Sequence, residues 1–217
     1  MATCPTSRHQ GRAYHEFMLA SRMDMRIRRD FHQFVQKFTP VQGTILDFGA
    51  GTGIDAKTYV AWGSKVLVHE PDEENRRYLT VYCREELAKG NIVITDLAAN
   101  GAADAITANF AVLNLIADPK ALFAKFDHML MPKGRVVLSL LNPYFLGDAR
   151  YRWWRTNLGP LLHRGSYSVE GEDGPVYRFT PSSIAAAAQP AFRRIGRHPR
   201  GLALATHPYM FMAFQKS

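Results

Sequence analysis

From Ile45 to Asp55 the chain reads Ile-Leu-Asp-Phe-Gly-Ala-Gly-Thr-Gly-Ile-Asp. An apolar run enters, Asp47 closes it, and Gly49, Gly51 and Gly53 follow at alternate positions before a helix-compatible segment. Side chains at such glycines would block the approach of backbone to a ligand or clash in the turn. The chemistry on offer is therefore recognition by backbone, aided by nearby carboxylates. Glu70 lies roughly 20 residues beyond the first glycine, where an acid can accept hydrogen bonds from ribose hydroxyls. Asp96 and the pair Asn109-Phe110 follow two further apolar runs. Each signal alone has a plainer reading, as a bare glycine turn or a solvated strand-end charge. Together they place Asp47, Glu70, Asp96 and Asn109 at the carboxyl ends of four strands.

The elements that position them alternate. Thr44 to Phe48, Lys65 to Glu70, Asn91 to Thr95, Asp104 to Phe110 with its exit, and Arg135 to Leu141 read as strands. Helical patterns fill the gaps: Tyr14 to Phe38, with Phe31, Phe34, Val35 and Phe38 on one face; Ile54 to Trp62; Pro71 to Ala88; and Pro119 to Leu130. Such alternation predicts a doubly wound, mostly parallel sheet with helices on both faces and ligands outside its carboxyl edge. Thr180-Pro181 starts another helix, which ends before Pro190. Phe192 to His198 and Ala205 to Phe214 are expected to pair antiparallel, with His207-Pro208 suited to an edge or a strand start.

The glycine spacing separates two nucleotide families. Dinucleotide folds use G-x-G-x-x-G; here Gly53 comes one residue early and Asp47 precedes Gly49 by two. This stretch resembles the D-x-G-x-G-x-G motif of class I S-adenosylmethionine-dependent methyltransferases, and the resemblance spans about residues 40–141. It implies a Rossmann-like methyltransferase fold: α/β, doubly wound, with seven strands, an N-terminal helical extension and a lid insertion after strand five. It implies S-adenosylmethionine as cofactor and S-adenosylhomocysteine as product. On this resemblance Asp47 lies near the cofactor's ammonium, and Gly49, Ala50, Gly51 and Gly53 pass under its methionine and ribose. Glu70 and Pro71 meet the ribose, Asp96 and Leu97 the adenine, while Asn109 and Phe110 line the cofactor and the methyl path. Pro132-Lys133-Gly134 resembles the family's turn before strand five. Asn142-Pro143-Tyr144 resembles an Asn-Pro-Pro-Tyr motif, but it follows the wrong strand and lacks a proline, so it assigns no acceptor.

At 217 residues and 47% apolar, a single domain is expected. It divides into a helical cap (1–39), a cofactor-binding core (40–141), an acceptor lid (142–179) and a closing helix with antiparallel strands (180–217). Met1 to about Gly11 reads as a disordered lead. Two cysteines, Cys4 and Cys83, suggest neither a disulfide framework nor a metal site, and no metal is expected. The absence of a long apolar run argues against a membrane span, and a cytoplasmic location is expected. The net charge of +8 lies outside the core: residues 1–39 carry seven Lys/Arg against three Asp/Glu, and residues 142–217 carry ten against four.

The interleaved Tyr151-Arg152-Trp153-Trp154-Arg155 and the later His163 could hold a planar or anionic acceptor. Tyr14, Tyr151, Trp154, Arg155 and His163 are thus the candidate substrate residues, and His163, Tyr14 and Tyr151 the candidate bases. A carboxylate acceptor needs no base. The favoured reading is methylation of a small molecule with an anionic or aromatic portion. The alternatives are an RNA or protein methyltransferase, a non-catalytic S-adenosylmethionine-binding subunit, and a nicotinamide oxidoreductase demoted by the glycine spacing. Nucleic acid is disfavoured for want of a recognised binding module, and the oligomeric state is left open.

Overall fold

The structure, a computed structural model, describes residues 10–40, 42–97, 101–171 and 174–217. Cys4 and most of the expected disordered lead fall outside the described residues. Two helices open the chain, where one was expected from Tyr14 to Phe38: α1 (Gly11–Ala20) and α2 (Arg22–Phe38). The break falls at Ser21, whose extended backbone ends α1 and whose hydroxyl accepts the Asp24 N–H to cap α2.

Then come β1 (Thr44–Phe48), α3 (Ile54–Ala61), β2 (Lys65–His69), α4 (Glu73–Tyr82), α5 (Arg84–Ala88), β3 (Ile92–Ile94) and β4 (Ala103–Ala108). They are followed by α6 (Pro119–Met129), β5 (Leu130–Leu141), α7 (Arg152–Thr156), α8 (Leu158–Arg164) and the antiparallel pair β6 (Ser166–Gly171) and β7 (Gly174–Phe179). The chain closes with α9 (Pro181–Ala188), β8 (Phe192–His198) and β9 (Tyr209–Lys216).

Seven strands form one sheet in the order β3-β2-β1-β4-β5-β9-β8, and β6 and β7 make a separate two-stranded sheet. The strands from β3 to β5 pair in parallel, and β9 runs antiparallel between β5 and β8. Alternation along the strands builds two cores. Ile45, Val66 and Val68 face α1–α4 through Met18, Phe31, Tyr59 and Leu79. Leu46, Ile106 and Leu138 face α6 and α9 through Phe123, Phe126 and Ile184. The phenylalanines of α2 pack on the sheet, Phe31 against Phe211 with ring centroids 5.4 Å apart.

Three boundaries differ from expectation. The helix expected from Pro71 to Ala88 breaks at Cys83, which leaves the α region (φ -101°, ψ 21°) and separates α4 from α5. The strand expected from Arg135 begins at Leu130, and the Pro132-Lys133-Gly134 turn survives inside it as a kink with Lys133 at φ 61°. The stretch from Ala205 to His207 is not strand: Gly201–Thr206 coils into a short 3-10 helix, and His207-Pro208 leads into β9.

Gly53 anchors the packing of α3 on α4. It sits at φ 84°, and a Cβ there would lie 2.6 Å from Cys83 Sγ and 3.2 Å from Leu79 Cγ. Gly53→Ala is expected to lower stability by about 1–3 kcal/mol through overpacking and left-handed strain. Gly90→Ala, at φ 71° with nothing within 4 Å of the added Cβ, carries the strain alone and should cost less. Urea unfolding of the two variants measures the difference, and equal losses would contradict the packing role.

Candidate functional site

The loop from β1 to α3 is held by its neighbours' backbone. The Gly49 and Ala50 N–H groups donate to the His69 carbonyl at the end of β2, at 2.8 and 3.1 Å. Three positive-φ glycines make the turn possible, each for its own reason. A Cβ on Gly49 would strike the Val112 side chain, and one on Gly53 would strike Cys83. On Gly51 it would meet only Tyr14, at 3.4 Å. Gly51 is thus the glycine that keeps space open rather than the one that closes a packing gap.

Above this turn lies a cavity of about 400 Å³. Its walls come from the turn (Gly49, Gly51), from the end of β2 (His69, Glu70, Pro71), from Tyr14 on α1 and from Phe110, Val112, Leu115 and Ile116 after β4. Glu70 is buried on its rim and is tied into the backbone. Oε2 accepts the Gly51 N–H at 2.6 Å and Oε1 accepts the Asp72 N–H at 2.9 Å. Burial pushes its carboxyl up, while those two N–H groups pull it back. A carboxylate has about four acceptor positions, so two remain for a ligand's hydroxyls.

A second cavity of about 50 Å³ adjoins the first, sharing Tyr14, Gly49, Gly51, Phe110 and Val112 and adding Ala50, Thr52, Arg28, Asp55 and Asn109. Behind it is a buried polar cluster that sequence reading missed. Asp55, in the first turn of α3, accepts from Arg28 Nη1 at 2.5 Å, meets His32 Nε2 at 2.5 Å and accepts from Asn109 Nδ2 at 3.1 Å. Burial pushes the Asp55 carboxyl up, but Arg28 and His32 outweigh it and hold the group well below the usual range. The available signal was an acid directly after the glycine motif, with Arg28 and His32 four residues apart on one helix face. Arg26 and Arg29, which shared a basic stretch with Arg28, are exposed.

Of the expected cofactor residues, Gly49, Ala50, Gly51, Glu70, Pro71, Asn109 and Phe110 line one cavity or the other. Asp47 does not: it is buried beneath the turn, with Oδ1 accepting from Thr107 at 3.3 Å and Oδ2 without a hydrogen-bond partner among the described residues. Gly53 turns toward α4 instead. Asp96 and Leu97, expected on the adenine, line neither cavity. Leu97, at φ 70°, faces a small apolar recess with Leu46, Leu67 and Met129. His69, Leu115 and Ile116 line the larger cavity.

Of the candidate acceptor residues, Tyr14 lines both of these cavities and the others line neither. Burial pushes the Tyr14 hydroxyl up to about 12, the wrong direction for a base at neutral pH. Arg155 and His163 are exposed, Tyr151 stacks on Trp153 with centroids 5.8 Å apart, and Trp154 Nε1 donates to the Pro143 carbonyl at 3.1 Å. The expected lid is tied to the sheet through Asn114. The carbonyl of Tyr177 in β7 accepts from Asn114 Nδ2 at 2.5 Å, and Asn114 Oδ1 accepts the Leu141 N–H. The 142–179 segment therefore stands behind the short 3-10 turn Val112–Leu115, whose other side walls the large cavity.

Among the described residues no group of three His, Cys, Asp or Glu is placed to hold a metal, and no described helix is long and apolar enough to cross a membrane. A methyltransferase-domain family matches residues 19–187. No curated protein matches the sequence. Solved structures share the fold at low identity. An S-adenosylmethionine-dependent methyltransferase from Mesorhizobium loti has 16% identity and TM-score 0.63, over 85% of this chain and 96% of its own. One from Methanosarcina mazei has 14% and 0.62, over 84% and 96%. The 1,6-didemethyltoxoflavin-N1-methyltransferase of Burkholderia thailandensis, solved with 1,6-didemethyltoxoflavin and S-adenosylhomocysteine, has 16% and 0.59, over 97% and 93%.

Asp47 gives the site a measurable signature. Burial raises its carboxyl well above the ordinary value, Asp55 adds to the shift and Arg28 opposes it. A raised folded-state value means stability is fullest below the unfolded value, near 4, and is lost as pH rises through the folded one. In the ligand-free protein, Asp47→Asn should melt higher than wild type at pH 8, with the gap closing toward pH 4. Thermal melts across that range check it, and a variant less stable at pH 8 would contradict it.

Proposed function

The chain belongs to the methyltransferase-domain family, and from that premise we propose that it moves the methyl group of S-adenosylmethionine to a small acceptor with an anionic or aromatic portion, leaving S-adenosylhomocysteine. The observation that carries this reading is the cavity of about 400 Å³ joining the glycine turn to Glu70. Its residues suit the cofactor: Gly51 leaves the floor clear, and buried Glu70 retains two acceptor positions for ribose hydroxyls. A small acceptor also accords with the 1,6-didemethyltoxoflavin bound in the Burkholderia thailandensis structure.

When bound, the cofactor supplies an electrophilic methyl group and a good leaving group, so the protein's share is position and exclusion of water. The Gly49–Gly53 turn fixes one side of the ligand by backbone, and Glu70 fixes its ribose. Tyr14 and Phe110 line both cavities and Asn109 the smaller one, so the side chain offered to an acceptor there is a neutral phenol, not a base. That arrangement suits an acceptor already carrying its lone pair, such as a carboxylate.

Calorimetry should show S-adenosylhomocysteine binding with NAD and NADP inert. Glu70→Ala should weaken it by about 1.5–3 kcal/mol, the range for hydrogen bonds to a charged group. Binding of a dinucleotide without any response to S-adenosylhomocysteine would overturn the proposal.

A further inference from the structure

We propose that the carboxyl edge of the sheet carries a docking surface for an anionic lipid bilayer, which the protein touches without crossing. The inference rests on the outer surface, so it stands or falls apart from the methyltransferase reading of the cavities. Two crests rise past that edge. The first lies between β5 and β9, where Leu141 pairs with Tyr209 and both strands meet the edge. The short turns Leu146–Asp148 and Gly201–Thr206 pack together there. Asn142 Nδ2 ties them down by donating to the Leu204 and His207 carbonyls. Leu146 is nonetheless 59% exposed and Leu202 94%. Arginines flank them. Arg200 Nε donates to the Arg197 carbonyl at 3.2 Å. Burial pushes the Tyr144 hydroxyl up and Arg197 opposes it, which places that guanidinium near the first turn.

The second crest is the elbow between α1 and α2. Helix α2 runs from the glycine turn, where Arg28 meets Asp55, to the opposite edge, where the Phe38 carbonyl accepts Arg135 Nη1. Its first residues therefore project past the carboxyl edge. Leu19 and Met23 are exposed there, beside the exposed Arg22 and Arg26. The crests are neighbours: burial and His207 push the His198 ring down, and Asp30, one turn after Arg26, opposes them.

An exposed leucine alone needs no explanation. Here the apolar tips share one edge with arginines, and charge selects the partner. Residues 149–169 and 174–217 hold no Asp or Glu. A second copy of the chain would set arginine against arginine. Nucleic acid would use the cations but not the leucines, and the nearby aromatic rings are engaged: Trp154 Nε1 by the Pro143 carbonyl and Tyr151 by Trp153. An anionic leaflet uses both features. The leucines enter the acyl boundary while the arginines stay at the phosphates, their stems along the apolar surface.

Sedimentation with vesicles of equal parts phosphatidylcholine and phosphatidylserine tests the surface, with pure phosphatidylcholine vesicles and polyuridylate alongside. Wild type should bind the mixed vesicles, not the neutral ones, and should weaken as salt is raised. Leu146→Ser/Leu202→Ser should bind roughly tenfold or more weakly at unchanged charge. Arg197→Gln/Arg200→Gln should also lose roughly tenfold or more. Lys65→Gln/Lys89→Gln makes the same charge change at exposed positions on the opposite edge and should bind as wild type. Thermal melts check folding, and Leu202→Ser alone serves should the leucine pair perturb it. Leu202→Trp should bind at least as well as wild type, because tryptophan favours the membrane interface; a merely structural leucine would not give that rescue.

Failure to bind the mixed vesicles at low salt would overturn the proposal. So would binding that ignores the leucines, or that falls equally in the arginine and lysine pairs, since either marks mere adsorption of a basic protein. Polyuridylate that displaces the vesicles while ignoring the leucine changes would make this a nucleic-acid surface instead. S-adenosylhomocysteine affinity, measured on the same variants, should stay at the wild-type value in every case, so a negative result here leaves the methyltransferase reading untouched.

Discussion

One buried carboxylate joins three parts of the molecule. Asp55 takes Arg28 and His32 from α2 and Asn109 from the exit of β4, while its own place is set by the glycine turn two residues before it. Ions this deep survive only when paired, and removing one partner of such a pair typically costs about 3–5 kcal/mol. The cluster therefore fixes the cap against the sheet at the point where the ligand cavities meet. Because Asp55 is held below its ordinary range, its contribution is present above the unfolded value and fades as pH falls. Asp47 has the opposite sign, so the two acids on either side of the turn respond oppositely to pH.

A second layer of ties surrounds this pair. The Gly11 N–H donates to Asn75 Oδ1 at 2.9 Å, and Gln10 donates to Asp72, so the start of α1 is fastened to the start of α4. His15 meets the Thr52 hydroxyl at 3.0 Å within the glycine turn itself. The cap is thus part of the wall of the cavity and not an appendage. On the other flank, Asn114 links β5, the β6–β7 pair and the turn after β4. Within the insertion Trp153 lies under Arg178, which in turn faces Asp148 at 3.6 Å.

What the sequence made legible was whatever depends on local pattern. The alternation of strands and helices, the glycine turn, Glu70 and Asn109-Phe110 follow from periodicity and from the geometry of parallel sheets, and the structure has them where that geometry puts them. The break at Ser21 was hidden because apolar spacing runs through it, and only the serine cap marks it. Arg28 and Asp55 were hidden for a deeper reason. Nothing local distinguishes Arg28 from the exposed Arg26 and Arg29; its burial is decided by an acid 27 positions later. At Trp154 and Arg155 composition suggests a binding surface, but only tertiary packing says which way it faces. Leu97 takes a left-handed conformation that no residue type there announces.

The central claim is that the Asp55 cluster couples the cap helices to the glycine turn, so that a ligand felt at one is felt at both. Amide hydrogen exchange with and without S-adenosylhomocysteine tests it directly. The account predicts that protection rises together across 11–38 and 49–55 on binding, and that Asp55→Asn breaks this link by leaving the cap unprotected while the turn still responds. Protection confined to the turn in the wild-type protein, with the cap unchanged, would contradict it.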